Sequence, residues 1–307
     1  MSKVFFITDQ SQITILWEAA GFDKLIDPGD PAALKIHFGE PGNTAYLQPE
    51  QVKPIAERIK ALGGKPFYTD ANTLYRGPRN NTKDHLKLAG DHGFTEVRAG
   101  AGSVISEEND YETIPVDLKH FKKVFIAQAA AQAPILIALS HFKGHELTGF
   151  GGALKNVGMG LGNRLGKLRM HQDCEHCPEL KTCKKNQTIE SCWVGSPTLV
   201  QEKMVEYVWG ATRGKKCGYI NFTTKISPNC DCYPFNDPPI VPDIGILASL
   251  DPVSLDQACA DLVNKAEGRI KSPDKWRALY PTVDWTEQLT YAEKIGLGTK
   301  IYELISL

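Results

Sequence analysis

The sequence predicts an α/β fold with a mostly parallel sheet, flanking helices and a Cys-rich insertion. Short apolar strands alternate with segments of helical period through the first half of the chain, which is typical of βαβ units. The pattern breaks over residues 172–216, which are polar and rich in cysteine, and it returns afterwards. We therefore expect an α/β core domain of residues 1–171 and 217–307, with residues 172–216 as a metal-binding insertion.

The elements of the first half follow from hydrophobic period and from helix breakers. Apolar residues at helical spacing over residues 51–62 predict a helix that the two following glycines end. A second helix is predicted over residues 82–93. Apolar runs predict strands at residues 4–7, 34–38, 66–70, 96–98, 123–126 and 135–139.

In the second half, strands are predicted at residues 217–222 and 244–248. Asp251 is placed to cap a helix, because Pro252 suits the first helical position. Further elements are a helix over residues 287–295 and a closing strand over residues 301–307.

The region after the strand at residues 135–139 concentrates chemically active side chains. Open α/β sheets bind ligands where such strands end. His145, Lys155 and His171 follow there in glycine-rich, loop-like sequence, and we predict that they are catalytic. Neutral imidazole serves as an acid, a base or a metal ligand, and a desolvated lysine serves as a nucleophile or covalent anchor. Structural histidines and solvated lysines are the alternative interpretation.

The glycines of this region predict a site for a small anion, because successive N–H groups can form an anion-binding nest. Residues 162–167 resemble a nucleotide P-loop, but the spacing is one residue short and Leu168 replaces the required Ser or Thr. Two arginines after the strand at residues 66–70 suit carboxylate or phosphate, with a polar surface turn as the alternative. The predicted substrate-binding residues are Lys143, Gly151, Gly152, Tyr75, Arg76, Arg79 and Asn80.

Cysteines are clustered in and after the predicted insertion. A tetrahedral zinc site and a [4Fe–4S] cluster each need four such ligands, and CxxC supplies two from one turn. His171 and His176 could complete either set, and reduced cysteines without a metal are the alternative. Cys259 lies in a helix pattern and is expected in the core. The predicted metal ligands are Cys174, Cys177, Cys183, Cys192, Cys230 and Cys232.

Charge and hydropathy limit the partners. The formal net charge is −1, so no global field attracts nucleic acid or an anionic membrane. The apolar run near the N-terminus is too short for a signal peptide, and no run reaches membrane-spanning length. We expect a cytoplasmic protein with a small anionic substrate and, for an electron-transfer role, a redox partner protein, and no contact with nucleic acid or membrane.

Several motifs resemble the DUF362 family, whose function is unassigned. They are SHFKGHELTGFGGALKNVGMG at residues 140–160, KIHFGE at 35–40, DANTLYR at 70–76, CDC at 230–232, PDIGIL at 242–247 and YAEKIGLG at 291–298. Many members of that family carry a ferredoxin insert and are labelled iron–sulfur-binding. The ferredoxin run CxxCxxCxxxCP is absent here. The resemblance favours an iron–sulfur cluster, with zinc as the alternative.

A second pattern, His145-x-x-x-Gly149-x-x-Gly152-x-x-Lys155 followed by His171, is similar to the N-terminal domain of nickel-pincer lactate racemases. The similarity implies that Lys155 anchors the pincer, His171 ligates nickel and His145 is the acid or base. The racemase loop continues differently after its lysine, and their second domain has no counterpart in this sequence. The similarity therefore favours a shared fold and site location more than a nickel pincer.

Three hypotheses for function follow. The leading one is a metal-dependent, iron–sulfur redox enzyme or electron-transfer protein that acts on a small anionic substrate. The second is a redox-neutral racemase or isomerase that uses the His/Lys site and carries structural zinc. The third is a non-catalytic metal-binding module.

Overall fold

A computed structural model describes residues 1–183 and 192–307. The described residues form twelve strands and eleven α-helices, with short 3₁₀ turns at Gln10–Gln12 and Phe22–Leu25. The strands are β1 (Ser2–Ile7), β2 (Pro31–Lys35), β3 (Lys65–Asp70), β4 (Ser103–Ile105), β5 (Tyr111–Pro115), β6 (Lys123–Ala127), β7 (Ile135–His141), β8 (Lys143–His145), β9 (Gly149–Gly151), β10 (Lys216–Thr223), β11 (Gly245–Ser249) and β12 (Tyr302–Ser306). The helices are α1 (Ile13–Ala19), α2 (Pro49–Ala61), α3 (Thr82–Asp91), α4 (Glu96–Ala99), α5 (Gln128–Gln132), α6 (Ala153–Leu161), α7 (Arg164–His171), α8 (Pro197–Thr212), α9 (Pro252–Lys265), α10 (Lys275–Leu279) and α11 (Glu287–Lys294).

An eight-stranded sheet in the order β12-β1-β11-β10-β7-β2-β3-β4 confirms the predicted α/β class. Neighbouring strands are parallel except where β11 pairs with β1 and with β10. Every residue of β7 is buried. Its side chains alternate between two hydrophobic clusters, with Leu136 in one cluster and Ile137 in the other. Helices therefore cover both faces of the sheet, as a parallel sheet requires.

The strand predicted at residues 96–98 is wrong, because the chain there forms the helical turn α4. The Thr95 side chain accepts a hydrogen bond from the Arg98 backbone N–H and caps the turn. Gly100 ends it with a φ of 79°, which favours glycine. The strand that pairs with β3 at this edge of the sheet is β4, which follows α4 in the chain. The predicted strand at residues 123–126 is present as β6, but it pairs with β5 in a separate antiparallel hairpin.

Helix α8 lies within the segment predicted as an insertion and packs against the core. Its residues Met204, Val205 and Val208 belong to the larger hydrophobic cluster. The helical period is obscured in the sequence because buried polar residues share the helix. Glu206 is fully buried, and it accepts hydrogen bonds from the backbone of residues 120 and 121 and from the Tyr291 hydroxyl.

The parallel strands β2, β3 and β7 end at the same edge of the sheet, at Lys35, Asp70 and His141. On the other side, Asp251 accepts hydrogen bonds from the backbone N–H groups of Val253 and Ser254, which confirms the predicted cap of α9. Among the described residues, none of the helices combines the length and the apolar character that a membrane span requires.

Candidate functional site

A cavity of about 760 Å³ opens at the carboxyl ends of β2, β3 and β7. Open α/β sheets commonly bind ligands at this position. The cavity brings together many of the residues singled out from the sequence. Those that line it are Tyr75, Arg76, Arg79, Lys143, His145, Lys155 and His171, together with Cys232.

The three predicted catalytic residues lie on regular structure rather than in a loop. His145 ends the short strand β8, and Lys155 lies in the first turns of α6. His171 is the last residue of α7. The sequence did not predict these helices, because glycine is unfavourable inside a helix. Gly158 is present in α6 for close packing, since a Cβ there would lie 2.3 Å from the Met204 carbonyl oxygen on α8.

Positive charge predominates on the cavity wall. Of the described residues that line it, six are basic and three are acidic. The basic residues are Lys35, Arg76, Arg79, Lys143, Lys155 and Lys167, and the acidic residues are Glu40, Asp70 and Glu146. Such a wall attracts a small anion.

Asp70 holds part of this charge in a buried network. Its carboxylate lies 3.1 Å from the Lys35 ammonium and 3.2 Å from the Arg79 guanidinium. Burial alone would raise the pKa of Asp70, but these cations lower it to about 2. Burial lowers the pKa of Lys35 to about 8, against the attraction of Asp70. Lys35 and Asp70 were not predicted as site residues, although Asp70 ends one predicted strand and Lys35 lies in another.

Two predicted substrate-binding residues are bound to each other instead. Arg79 is 2% exposed, and its guanidinium contacts the Glu40 carboxylate and the Tyr75 hydroxyl. The Tyr75 hydroxyl also donates to Glu40 at 2.9 Å. Arg76 is exposed at the cavity, and no hydrogen bond or ion pair engages it within residues 1–183 and 192–307. Arg76 is thus free to bind a carboxylate. Asn80 lies on a neighbouring groove.

His145 and His171 are both buried and neutral at the cavity. The Nδ1 atom of His145 accepts a hydrogen bond from the Leu147 N–H at 3.2 Å, so a neutral ring carries its proton on Nε2. Burial and nearby lysines lower the pKa of His145 well below its ordinary value and that of His171 to about 3. The buried Nδ1 of His171 has no hydrogen-bond partner among the described residues. Such rings can accept or donate protons or bind a metal.

A third imidazole, His37, was missed. Its Nδ1 accepts the Gly39 N–H, and its buried Nε2 faces no partner in the described part of the chain. Burial lowers the pKa of His37 well below its ordinary value, so its ring is neutral. The available signal was its place in the motif KIHFGE, and the structure puts it two residues after the end of β2.

Lys155 contacts a cysteine pair. Its ammonium donates to the Cys230 sulfur at 3.3 Å, and the Cys232 backbone N–H donates to the same sulfur at 3.4 Å. A Cβ at Gly151 would lie 2.8 Å from Cδ of Lys155, so this glycine leaves room for the lysine stem. The Cys232 thiol donates to Cys230, which lowers the pKa of Cys230 well below its ordinary value and raises that of Cys232. Lys155 and Lys143 add to the lowering at Cys230, against burial.

The anion nest predicted around Gly152 already holds an internal carboxylate. Asp256 accepts the N–H groups of Ala153 and Leu154 at 2.7 and 2.9 Å, at the start of α6. The Asn221 amide donates to the same carboxylate at 2.7 Å. A Cβ on Gly152 would lie 2.3 Å from Asp256, so the glycine permits this approach. Burial nevertheless raises the pKa of Asp256 to about 6.

Four cysteines of the insertion line one small pocket beside the cavity. They are Cys174, Cys177, Cys183 and Cys192. Burial and the proximity of the other three sulfurs raise the pKa of Cys174. No group of three or more His, Cys, Asp or Glu side chains in residues 1–183 and 192–307 stands in a geometry that could hold a metal. The number and type of donors fit a zinc ion or a [4Fe–4S] cluster, provided that the side chains close around it.

The thiol pocket adjoins the cavity. Trp193 follows Cys192 in the chain and lines the cavity, and its ring packs edge-on against His171 at 4.4 Å between centroids. His171 in turn begins the short link to Cys174. Cys230 and Cys232 lie away from this pocket, near Lys155, so the predicted metal ligands fall into two separate groups. His176 is 76% exposed and contacts Asp173.

Comparisons with known proteins identify one family. The family model for DUF362, a domain of unknown function, matches residues 32–261. No curated protein matches the sequence. Among solved structures, the lactate racemase apoprotein from Thermoanaerobacterium thermosaccharolyticum gives a TM-score of 0.45 at 15% identity, over 72% of this chain and 50% of that one. A crystal structure of a Thermotoga maritima protein gives a TM-score of 0.41 at 12% identity, over 70% and 50%. This chain thus matches half the length of either protein.

Proposed function

This chain belongs to the DUF362 family, and we propose that it is an iron–sulfur redox enzyme that acts on a small anionic substrate. The observation that carries the proposal is the convergence of four insertion cysteines on one pocket beside the basic cavity. Cys174, Cys177, Cys183 and Cys192 would hold a [4Fe–4S] cluster. Such a cluster supplies one-electron chemistry that side chains alone cannot perform.

The side chains of the cavity supply the remaining functions. The excess of basic residues draws an anion in, and Arg76 offers a free guanidinium for a carboxylate. Leu74, Leu147 and Met159 provide apolar wall for the carbon part of a substrate. The neutral rings of His145 and His171 can each take or give a proton at the bound molecule.

Metal analysis of the anaerobically purified protein tests this proposal. We expect iron and acid-labile sulfide in equal amounts, about four of each per chain. We also expect brown protein with thiolate-to-iron charge-transfer absorption, and an electron paramagnetic resonance signal in the reduced or oxidised state. Colourless protein with stoichiometric zinc would refute the iron–sulfur assignment.

Matched cysteine variants identify the ligands. Cys174→Ser and Cys183→Ser should lose the metal, because each removes one of the four thiols that line the pocket. Cys217→Ser is the control, since Cys217 lies on β10 and donates to the Thr212 carbonyl. Cys230→Ser should also retain the metal. Metal loss in Cys230→Ser would show that the grouping of the thiols is wrong.

A redox-neutral racemase or isomerase with structural zinc is the second candidate. It is favoured by the neutral His145 ring and the Lys155 ammonium at one cavity, because a two-base racemisation needs one proton acceptor and one proton donor. Zinc-loaded protein would then exchange the α-hydrogen of a chiral carboxylic acid with D₂O, without any electron acceptor. His145→Gln should abolish that exchange. A covalent adduct on Lys155, seen by intact mass, would support the anchoring role that the racemase similarity implies.

A further inference from the structure

We propose that Cys230 and Cys232 form a redox-active dithiol that exchanges with small anionic disulfides in the cavity. This is an activity separate from the proposed function, and it needs no metal at the insertion cysteines. Cys232 lines the cavity, whereas Cys230 lies behind it and is 2% exposed. Cys232 is therefore the thiol that meets the disulfide, and Cys230 is the thiol that completes the exchange.

The residue between the two cysteines fixes them in place. Asp231 is fully buried, and its carboxylate accepts from His141 Nδ1 at 2.9 Å and contacts the Lys143 ammonium at 3.1 Å. His141 is the last residue of β7, and Lys143 is the first residue of β8. Because the carboxylate is held by an ion-paired network, the flanking thiols are held against the cavity and not in a loose loop.

Lys155 and the Cys232 backbone N–H stabilise negative charge on this pair. Both donate to the Cys230 sulfur, at 3.3 and 3.4 Å. The neighbouring Cys232 thiol also lowers the pKa of Cys230, which adds to the effect of these two donors. A thiolate is the attacking species in thiol–disulfide exchange, so a Cys230 thiolate held by these donors can take the proton of Cys232 and can then make the second attack. These contacts are unlike those of an inert buried cysteine.

The exchange balances without any further oxidant. The Cys232 thiol gives its proton to the Cys230 thiolate, and the resulting Cys232 thiolate attacks one sulfur of a disulfide RS–SR, releasing RS⁻. The Cys230 thiol then passes its proton to that RS⁻ and attacks the Cys232 sulfur, which releases the second RS⁻. The products are the Cys230–Cys232 disulfide, RSH and RS⁻. The protein loses two electrons and the small disulfide gains them.

Charge selects the disulfide. The basic wall, which includes Lys143, Lys155 and the free side chain of Arg76, favours a substrate that carries carboxylates. Oxidised glutathione is a suitable probe, because it is a disulfide with several carboxylates. Cystamine, a cationic disulfide of the same reactivity class, is the matched comparison. It should react at least about tenfold more slowly than oxidised glutathione.

Peptide mapping of the full-length, anaerobically purified protein tests the proposal. After treatment with oxidised glutathione, the wild type should contain a Cys230–Cys232 disulfide. Cys230→Ser should instead accumulate one glutathionyl group on Cys232, because the second attack is removed. Cys232→Ser should react at least about tenfold more slowly at residue 230. Cys217→Ser is the control, and it should behave as the wild type.

Two results would overturn the proposal. One is the absence of both the internal disulfide in the wild type and the trapped adduct in Cys230→Ser, when circular dichroism shows that the variant is folded. The other is metal loss in Cys230→Ser, which would make the pair metal ligands. Failure of the iron–sulfur assignment alone leaves the exchange intact, because the metal analysis and the peptide map are independent measurements.

Discussion

The ammonium of Lys155 lies 3.3 Å from the sulfur of Cys230, although 75 positions separate the two residues. Their meeting follows from the sheet. Strand β10 pairs in parallel with β7, with Phe222 opposite His141, so the segments that follow the two strands emerge side by side. The segment after β7 leads to Lys155 on α6, and the segment after β10 leads to Cys230. The contact therefore joins two sheet-edge segments at the wall of the cavity.

Replacement of this lysine should make the thiol pair less reactive. In Lys155→Met, the Cys230–Cys232 pair loses a cation that favours its thiolate. We expect the pH midpoint for alkylation of the pair by iodoacetamide to rise by about one unit, so that the rate at any fixed pH below the midpoint falls about tenfold. Peptide mass spectrometry over a pH series measures this. The exposed control Lys123→Met should leave the profile unchanged, and an unchanged profile in Lys155→Met would contradict the role of the ion pair.

The location of the candidate site could be predicted from the sequence, but its thiol pair could not. His145, Lys155 and His171 follow an apolar strand, and strand ends in α/β sheets carry such sites. The approach of Cys230 to Lys155 depends on which strands are neighbours, and short apolar runs carry no information about pairing order. The sequence therefore grouped Cys230 with the insertion cysteines, while the sheet places it beside Lys155.

The glycine-rich stretch shows a second limit of the sequence. Successive glycines predict an anion nest, and the N–H groups of Ala153 and Leu154 do bind an anion. That anion is the carboxylate of Asp256, which lies 103 positions after Ala153 in the sequence. Local pattern identified the donor and could not identify the acceptor, because the acceptor arrives through packing of α9 against α6.

Neutralisation of Asp70 should strongly destabilise the fold. Asp70→Asn leaves the buried cations of Lys35 and Arg79 without their carboxylate, and breaking such a pair costs about 3–5 kcal/mol. Folding lowers the pKa of Asp70 from 3.8 to about 2. The contribution of its carboxylate to the free energy of unfolding is therefore fully present above pH 3.8 and is lost as the pH falls toward 2. The difference between wild type and variant should therefore narrow over that window.

Urea unfolding at pH 7 and at steps down to pH 2.5 measures the effect. Asp117→Asn is the matched control, because Asp117 forms an exposed pair with Lys122 and has a φ of 51° that asparagine accepts. This control should unfold like the wild type. Equal stability of Asp70→Asn and Asp117→Asn would show that the buried network does not support the cavity.

Buried neutral histidines should make the protein sensitive to mild acid. The ring of His171 has its pKa lowered to about 3 by burial and by nearby lysines, from an ordinary value of 6.5. Below pH 6.5 the His171 ring therefore binds a proton in the unfolded chain, whereas in the folded chain it binds one only near pH 3. The free energy of unfolding should fall as the pH falls through this window, by about 1.4 kcal/mol per pH unit for this one ring.

Urea unfolding of the wild type and of His171→Gln at pH 7.5, 6 and 5 isolates that contribution. Glutamine retains polarity and cannot take the proton, so the variant should lose stability less steeply on acidification. Parallel curves for the two proteins would show that the His171 ring is protonated in the folded state within this range.

An added methyl group at Gly144 should disturb the thiol pair from outside the cavity. Gly144 lies on β8, and its N–H donates to the Ser227 carbonyl at 2.8 Å. A Cβ at this position would lie 1.9 Å from the Pro228 carbonyl oxygen, which is backbone and cannot rotate away. Gly144→Ala must therefore push residues 227 and 228 outward, two positions before Cys230. Overpacking of this kind costs about 1–3 kcal/mol.

Two measurements should change together in Gly144→Ala: the urea midpoint should fall, and disulfide exchange at Cys230 and Cys232 should slow, because the pair moves away from Lys155. Gly90→Ala on α3 is the matched control, since its Cβ would meet no atom within 4 Å. Alanine there should stabilise the helix by about 0.5–1 kcal/mol and leave the exchange rate unchanged. A urea midpoint of Gly144→Ala above that of Gly90→Ala would contradict the close approach of β8 to Pro228. A destabilised Gly144→Ala protein with a normal exchange rate would instead separate the packing of β8 from the position of the thiols.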